Sequence, residues 1–328
     1  MIRAVVLDRF GDESVMRIGE VKAPELGPHD LRIAVRACGV NRADLLQREG
    51  HYPPPPGASE IIGLECAGIV RECGSDVIGW TRGDRAMALL AGGGYTEEVV
   101  VDAGSAMHVP ESLSDEEAGA IPEVFLTVFL TIFQLAKARE GESVLIHGGG
   151  SGIGTAATTL CKLAGMRVLV TAGSNEKCAR CREHGADIAI NYKTEDFAEK
   201  AKGVDVILDH IGAPYLPRDL RALGVGGRVV VIGSMGGGKT AEIDVSSLLG
   251  KRQQIIGSTL RARPAYEKAA LVAAFIERFG DDLREGRIRP VISEVLPLKR
   301  VADAHRMMAA GEHFGKIVLN EVQTAPDL

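Results

Sequence analysis

The segment Glu142–Ala157 constrains the fold more than any other part of the sequence. Ser143 to Ile146 are typical of a short buried strand, Thr155 to Leu163 have helical spacing, and a glycine cluster lies between them. A strand, a tight glycine turn and a helix N-terminus form an anion site, because free N–H groups and the helix dipole point towards a phosphate. Ser151 departs from the strict G-x-G-x-x-G pattern, so the segment alone leaves a nucleotide site and a plain glycine-rich loop both open.

Strand-like and helix-like segments alternate regularly after this turn. The predicted strands are Arg167–Thr171, Asp187–Ile190, Val204–Asp209, Arg228–Ile232 and Gln254–Thr259, and the predicted helices are Asn175–His184, Tyr215–Leu223 and Pro264–Glu285. Such alternation predicts right-handed βαβ crossovers and a Rossmann-type, doubly wound parallel sheet. The glycine turn follows the first strand of the series, where a dinucleotide site is expected. We therefore expect a dinucleotide rather than a plain loop.

The first 110 residues have a mainly β character. Predicted strands at Met1–Asp8, Leu31–Cys38, Ile69–Cys73 and Val99–Val101 surround one helix, Arg42–Glu49. Near the end of the chain we expect a helix at Val301–Ala310 and a strand at Lys316–Leu319 that return to this part. The prediction is an α/β chain of two domains: a mainly β domain (1–122 and 290–328) and a Rossmann domain (123–289).

Charge and composition exclude several classes of protein. The net charge of −6 argues against general affinity for nucleic acid. No apolar run reaches the roughly 18 residues of a membrane span, and the N-terminal apolar stretch is too short for a signal peptide. We therefore expect a cytoplasmic protein without membrane contact.

The scattered cysteines do not resemble a disulfide framework, and the pair Cys178 and Cys181 is expected to be two surface thiols of a helix.

The end of the second predicted strand indicates which nicotinamide cofactor binds. An acidic residue there would bind the ribose 2′-OH of NAD, but the strand ends in Thr171-Ala-Gly-Ser174. Ser174 and Lys177 are available for a 2′-phosphate, and Tyr192 can add a hydroxyl, so we predict NADPH. Ser174 as a helix N-cap, Lys177 as a solvent lysine and Tyr192 as the cover of a strand end are the structural alternatives.

A second glycine motif, Gly233–Thr240, satisfies the P-loop pattern G-x-x-x-x-G-K-[ST]. A P-loop must continue directly into a helix, and Ala241–Val245 is a poor helix start. We expect no ATP site here.

Several stretches of the first domain resemble a known family when they are taken together. They are Gly39–Gly50, Tyr52–Gly57, Gly63–Gly68, Ala86–Gly94 and Ile121–Glu123. This ordered set resembles the zinc-free quinone oxidoreductase (zeta-crystallin-like) branch of the medium-chain dehydrogenases/reductases, and the resemblance continues to Gly315–Leu319. It implies a GroES-like catalytic domain for the mainly β part. The family also tolerates serine at the position of Ser151.

The positions of the zinc ligands are altered in this chain. Zinc-dependent alcohol dehydrogenases of the superfamily use a cysteine and a histidine in the neighbourhoods where this chain has Asn41 and Leu64. Neither residue type is a useful zinc ligand. The four clustered cysteines of a structural zinc lobe are also missing from residues 80–115. We therefore expect no metal.

The resemblance implies roles for individual residues. Asn41 and Tyr52 would lie near the nicotinamide and the substrate, and Tyr52 would orient a quinone oxygen. The cofactor would contact Asn41, Thr127 (nicotinamide ribose or amide), Gly152, Ile153 and Gly154 (pyrophosphate), Ser174, Lys177 and Tyr192 (2′-phosphate), and Lys316, which would close the cleft between the domains. Asn41 as the cap of the helix at Arg42 and Tyr52 as loop packing are the alternatives.

The predicted activity is hydride transfer from NADPH to a quinone without a metal ion. Reduction of an α,β-unsaturated carbonyl, an enone or enoyl thioester, is the alternative because the same hydride chemistry serves both. A non-catalytic role, as a crystallin or an RNA-binding protein, is the less favoured alternative, and the acidic pI of about 5.8 argues against RNA binding. We also expect a homodimer formed through edge strands of the Rossmann sheet.

Overall fold

The structure is a computed structural model that describes residues 1–320 and 322. Its strands are β1 (Ile2–Leu7), β2 (Met16–Val21), β3 (Asp30–Val40), β4 (Glu65–Cys73), β5 (Arg85–Leu89), β6 (Glu98–Asp102), β7 (Ala106–His108), β8 (Ser143–Ile146), β9 (Arg167–Ala172), β10 (Ile188–Asn191), β11 (Val204–Asp209), β12 (Leu223–Val231), β13 (Gln254–Gly257), β14 (Ile292–Pro297) and β15 (Lys316–Asn320). Its α-helices are α1 (Arg42–Arg48), α2 (Asp115–Ala118), α3 (Pro122–Val128), α4 (Gly152–Leu163), α5 (Asn175–Glu183), α6 (Phe197–Lys200), α7 (Leu216–Ala222), α8 (Val245–Lys251), α9 (Ala265–Arg284) and α10 (Val301–Ala310).

The described chain divides into two compact units. The first contains Met1–Leu126 and the described residues from Leu260 onward, and the second contains Thr127–Thr259. Residues 123–126 and 260–289, which were expected in the Rossmann domain, thus lie in the first unit. The second of these segments does so because α9 packs on the turn Ala103–Ser105, where a Cβ on Gly104 would lie 2.5 Å from Ala269 Cβ. Residues 321 and 323–328 of the predicted first domain lie outside the described residues.

The second unit is built on a parallel six-stranded sheet in the order β10-β9-β8-β11-β12-β13. This order confirms the doubly wound Rossmann-type prediction. Apolar residues of the strands pack against the covering helices around Phe197, which is fully buried. Because β8 lies where the strand order reverses, the turn that follows it opens at the crevice where such sheets bind ligands.

The first unit is mainly β, with a sheet in the order β14-β15-β3-β4-β5-β7, β6 pairing with β3, and a separate β1–β2 ladder. The C-terminal strand β15 runs antiparallel to β3, with Ile317 opposite Val40 and Val318 opposite Gly39. The strand expected at Lys316–Leu319 therefore pairs with a strand of the first unit. The pairing also brings Lys316 beside the end of β3.

The apolar sequence Val124–Ala138 has the pattern of one continuous helix, but the structure has a shorter α-helix followed by a change of helix type. α3 begins at Pro122, which is tolerated in the first turn of a helix, and a π-helical segment follows at Phe129–Leu135. Its wider turn is visible where the amide of Ala136 donates to Thr131 O at 2.9 Å. The pattern of apolar residues did not distinguish the two helix types.

The P-loop-like segment does not lead directly into a helix. α8 begins at Val245 behind Asp244, whose side chain caps it by accepting from Ser247 N. Four residues therefore separate Thr240 from the helix, as expected for a loop that is not a P-loop.

In the part of the chain that the structure describes, no helix is long and apolar enough to cross a membrane.

Candidate active site

The glycine turn after β8 has the geometry of a phosphate site. Ser151 is the N-cap of α4, and its Oγ accepts from Gly154 N at 3.0 Å. Gly148 has φ +66°, and a Cβ on Gly154 would lie 2.4 Å from Gly148 O, so both positions require glycine. Gly152, Ile153 and Gly154 form the first turn of α4, whose N–H groups have no acceptor within the helix. Ser151, which departs from the G-x-G-x-x-G pattern, thus serves as the cap of the helix that follows the turn.

A buried network fixes the beginning of this turn. Burial raises the pKa of Asp219 to about 8 and lowers the pKa of His147 to about 4. At neutral pH the protonated Asp219 therefore donates to His147 Nε2 (2.9 Å), and Nδ1–H donates to Thr171 Oγ1 (3.1 Å). Thr171 Oγ1 also accepts from Gly148 N at 3.2 Å. The sequence analysis missed this network, because nothing local in the chain links His147 to α7.

His147, Asp209 and Asp219 also place possible metal-ligand atoms within 4.8 Å of one another. Asp209 accepts from Ile211 N at 2.6 Å and from Gly212 N, and His147 is occupied at both ring nitrogens. Hydrogen bonds thus satisfy Asp209 and His147, whereas Asp219 Oδ2 has no partner among the described residues. We interpret the cluster as part of the core.

The predicted 2′-phosphate residues lie together at the end of β9. Ser174 caps α5 and accepts from Lys177 N at 3.1 Å, which matches its structural alternative and leaves its hydroxyl proton available. The Tyr192 hydroxyl would lie 2.8 Å from a Cβ on Gly173, so the phenol lies against the same strand end. The glycine turn is adjacent, because Gly149 N donates to Thr171 O at 2.8 Å.

The C-x-x-C pair lies on the buried face of α5 rather than on its surface. Cys178 and Cys181 are both 2% exposed and both are free thiols. Burial raises the pKa of Cys181 to about 11, which makes it a poor nucleophile. A Cβ on Gly149 would lie 3.1 Å from Cys181 Sγ, so this side of α5 packs under the glycine turn.

In the first unit, Asn41 and Lys316 are brought into direct contact. The Lys316 ammonium, which is 2% exposed, donates to Glu65 Oε1 (2.6 Å), Asn41 Oδ1 (2.7 Å) and Val40 O (3.1 Å). Each of its three protons thus has an acceptor. Asn41 Nδ2 donates to Glu65 Oε1 at 2.9 Å. Lys316 thus determines the orientation of the Asn41 carboxamide, and its place at a cofactor cleft stays a prediction.

The backbone of Asn41 is held by a second chain of buried groups. Asn41 N donates to Asp44 Oδ2 at 2.7 Å, and the Tyr95 hydroxyl donates to the same oxygen at 3.1 Å. Arg48 donates to His305 Nδ1 (3.2 Å), so His305 carries its proton on Nε2, which lies 3.2 Å from the Tyr95 oxygen. Burial raises the pKa of Asp44 to about 6. Asn41 is therefore both the N-cap residue of α1 and a rigidly placed amide.

Tyr52 lies beside a buried arginine that the sequence analysis did not identify. Arg261 donates to Tyr52 O (3.0 Å), Ala91 O (2.8 Å) and Gln47 Oε1 (2.7 Å), and its guanidinium lies 5.2 Å from the centre of the Tyr52 ring. Lys268 of α9 donates to Arg261 O at 2.9 Å. Burial raises the pKa of Tyr52, so its hydroxyl keeps its proton at neutral pH. Arg261 was missed because it follows β13 in a segment assigned to the other domain.

The predicted site residues therefore fall into separate groups. Asn41, Lys316 and Tyr52 belong to the first unit, where Asn41 and Lys316 are in contact. The second unit contains Gly152, Ile153, Gly154, Ser174, Lys177 and Tyr192. Thr127 is the first residue of the second unit, and its carbonyl accepts from Thr131 Oγ1 at 2.7 Å. The contacts that these residues make with a cofactor stay predictions.

Two family models match the chain. The model described as "Alcohol dehydrogenase GroES-like domain" matches residues 27–111, and the one described as "Zinc-binding dehydrogenase" matches residues 184–319. Among curated proteins, the quinone oxidoreductase of Rattus norvegicus is 32% identical in an alignment that covers 97% of this chain and 98% of that protein.

Solved structures show the same architecture over the full length. A structure titled NAD-dependent alcohol dehydrogenase is 31% identical with a TM-score of 0.84, covering 97% of this chain and 99% of the other. A CurK enoyl reductase is 26% identical with a TM-score of 0.85, at the same coverage. A mycobacterial protein solved in complex with NADPH is 26% identical with a TM-score of 0.84, again at 97% and 99% coverage.

The fold, the family models and the relatives together define an oxidoreductase with a nicotinamide cofactor. The chain belongs to the quinone oxidoreductase branch of the medium-chain dehydrogenase/reductase superfamily.

Proposed function

We propose that the protein is an NADPH-dependent quinone reductase that works without a metal ion. The observation that carries this proposal is the full-length similarity to the rat quinone oxidoreductase, at 32% identity. The geometry of the two units supports it in three ways: the form of the cofactor site, the residues at the zinc positions, and the placement of Asn41 and Tyr52.

The end of β9 favours NADPH over NADH. Ser174, the Lys177 side chain and the Tyr192 phenol would hold the 2′-phosphate, while the first turn of α4 would hold the pyrophosphate. The hydroxyls of Ser174 and Tyr192 lie at one strand end, and the strand does not end in a carboxylate that would repel a phosphate. The mycobacterial neighbour solved with NADPH agrees with this proposal.

The residues at the superfamily's catalytic zinc positions do not fit zinc. The Asn41 carboxamide is committed to Lys316 and Glu65, and an ammonium at 2.7 Å from its oxygen would repel a cation. Leu64 is 1% exposed and packs in the core. Zinc in proteins prefers thiolate, imidazole and carboxylate ligands. A catalytic zinc at these positions is therefore not part of the proposed mechanism.

Bound NADPH supplies the hydride, and the residues of the chain position the substrate and exclude water from it. Asn41 presents an amide whose direction is set by Lys316, so we propose that Lys316 acts through Asn41. Tyr52 keeps its hydroxyl proton and can donate to a substrate oxygen that gains negative charge. We propose that Thr127 contacts the nicotinamide ribose or amide.

Reduction of an enone or enoyl thioester is the second candidate. The observation that favours it is the structural similarity to the CurK enoyl reductase. Both activities need a positioned acceptor oxygen beside the hydride donor, so the same residues serve either. Location in the cytoplasm and assembly as a homodimer stay predictions from the sequence.

Steady-state oxidation of NADPH with a quinone panel and an enone panel tests the choice of substrate. We expect turnover of quinones, and no turnover of any quinone would contradict the proposal.

The cofactor choice is tested in the same assay with Lys177→Ala. Loss of a contact to a charged phosphate costs about 1.5–3 kcal/mol, so the preference for NADPH over NADH should fall about 10- to 100-fold.

Lys202→Ala is the matched control for the cofactor test. Lys202 is exposed in the turn before β11, at the opposite end of the parallel sheet from the strand ends that would bind the cofactor. Its replacement should leave the cofactor preference unchanged. An unchanged preference in Lys177→Ala as well would show that the phosphate site is misassigned.

A further inference from the structure

Glu123 is a half-buried acid that the proposed mechanism has not yet used. It lies in the first turn of α3, where its backbone N–H donates to Glu65 Oε2 at 2.9 Å. Its own Oε2 is shielded from solvent and has no hydrogen-bond partner among residues 1–320 and 322. A buried carboxyl oxygen without a partner is costly. Such a group is usually kept for a function or for a bound molecule that completes it.

The neighbouring carboxylate explains the protonation state of Glu123. Glu65 accepts from Lys316 Nζ, from Asn41 Nδ2 and from the amide of Glu123 itself. These donors stabilise Glu65 as an anion, so a second negative charge beside it is unfavourable. Burial, followed by repulsion from Glu65, raises the pKa of Glu123 to about 8. Lys316, Asp44 and Lys268 also act on Glu123 through their charges, and so does Arg261.

Two neighbouring carboxyls with opposite protonation states are a common arrangement for acid–base chemistry. Glu123 is also close enough to Tyr52 and Arg261 for its charge to affect both groups. Glu123 therefore lies near Asn41, because both residues donate to Glu65. It also lies near Tyr52, because its charge acts on the phenol. A neutral acid at this place can deliver a proton at neutral pH.

We propose that Glu123 is the acid that supplies the proton in the reduction, an assignment that rests on the proposed function. The hydride adds two electrons to the quinone or enone, which leaves an anionic oxygen. The O–H bond of Glu123 breaks and a new O–H bond forms on that oxygen, giving the hydroquinone or enol. The resulting Glu123 carboxylate takes a proton from water before the next turnover.

The test compares Glu123→Gln with the wild-type protein and with Glu111→Gln. Glutamine keeps the size and neutrality of a protonated glutamate but cannot release a proton. Glu111 is exposed in the turn before α2, so its replacement controls for the loss of one carboxyl at the surface. The wild-type kcat should fall above pH 8 or so, because ionised Glu123 is inactive as an acid. This alkaline limb should be absent from Glu123→Gln and present in Glu111→Gln.

At neutral pH we expect Glu123→Gln to lose about a hundredfold in kcat for the enone substrates. The loss for quinones should be smaller, because a hydroquinone oxygen can also take its proton from water. The affinity for NADPH, measured by fluorescence titration, should stay unchanged and would report a variant that fails to fold. Infrared spectra of the substrate-free protein should show a protonated carboxyl that titrates near pH 8 and is missing from Glu123→Gln.

Each other result has a definite meaning. If Glu123→Gln keeps the kcat and the alkaline limb of the wild-type protein, the assignment of Glu123 is overturned while the proposed function is unaffected. The absence of the titrating infrared band from the wild-type protein would do the same. A wild-type protein that reduces neither quinones nor enones would refute the proposed function and this assignment with it.

Discussion

At the scale of single residues, burial changes what a side chain can do. Lys316 and Asn41 are far apart in the sequence, and each has a plausible separate role there. In the structure, the buried ammonium needs acceptors, and it obtains them from Asn41, Glu65 and the end of β3. The role of Lys316 thus follows from its burial rather than from its charge.

The pair of Asp219 and His147 leads to a prediction for stability against pH. The pKa of Asp219 is about 8 in the folded protein against 3.8 ordinarily, so the unfolded chain releases this proton first. The stability that the protonated Asp219 gives to the folded protein is therefore lost as pH rises from about 4 through 8. In Asp219→Asn the amide still donates to His147 but never ionises. His147 titrates in a lower range, because its pKa is lowered from 6.5 to about 4.

Urea denaturation at pH 7 and pH 9 measures this effect. Relative to the wild type, Asp219→Asn should gain about 1–1.5 kcal/mol between the two values, since one unit of pKa corresponds to about 1.4 kcal/mol. Parallel stability curves for the two proteins would mean that Asp219 is not protonated in the folded state.

At the scale of elements, local patterns predicted most strands and helices of the second unit because each follows a simple periodicity. The strands β2, β5, β7 and β14 of the first unit were not predicted. Short strands in an irregular mixed sheet are stabilised by neighbours that are distant in the chain. The glycine turn is the reverse case, since its backbone geometry is local and its residues predicted it.

Gly154→Ala should damage the glycine turn. Its Cβ would lie 2.4 Å from Gly148 O and 2.6 Å from Gly149 Cα, and backbone atoms cannot move aside cheaply. We expect a loss of about 1–3 kcal/mol in stability and a clear loss of NADPH affinity in fluorescence titration. Gly250→Ala is the control, because a Cβ at this position of α8 meets nothing within 4 Å. Equal NADPH affinity in both variants would contradict the phosphate-binding role of the turn.

At the scale of the whole molecule, the division of the chain depended on packing rather than pattern. α9 follows the last strand of the Rossmann series and has the apolar face of an ordinary crossover helix, formed by Leu271, Phe275 and Phe279. Periodicity shows that such a face is buried but not against which sheet. In the structure it belongs to the first unit, where Arg261 and Lys268 lie near Tyr52.

The edge of the second unit's sheet permits a test of the predicted homodimer. β13 is a terminal strand in the sheet order, and Ile255 on it is 40% exposed. Lysine on an edge strand opposes pairing with another edge. Ile255→Lys should therefore convert a dimer into a monomer in light scattering. Ile78→Lys, at a residue that is 92% exposed in the first unit, should stay dimeric; a dimer in both variants would exclude this edge as the interface.

The sequence by itself determined the class of fold and the glycine turn, and it predicted the form of the cofactor site, because strands, helices and glycine turns depend on residues that are close in the chain. Only the tertiary structure decided that Lys316 supports Asn41, that Glu123 lies beside Glu65, and that Arg261 lies under Tyr52. These contacts join residues from distant segments. Their protonation states follow from burial and from neighbouring charges, which no local pattern encodes.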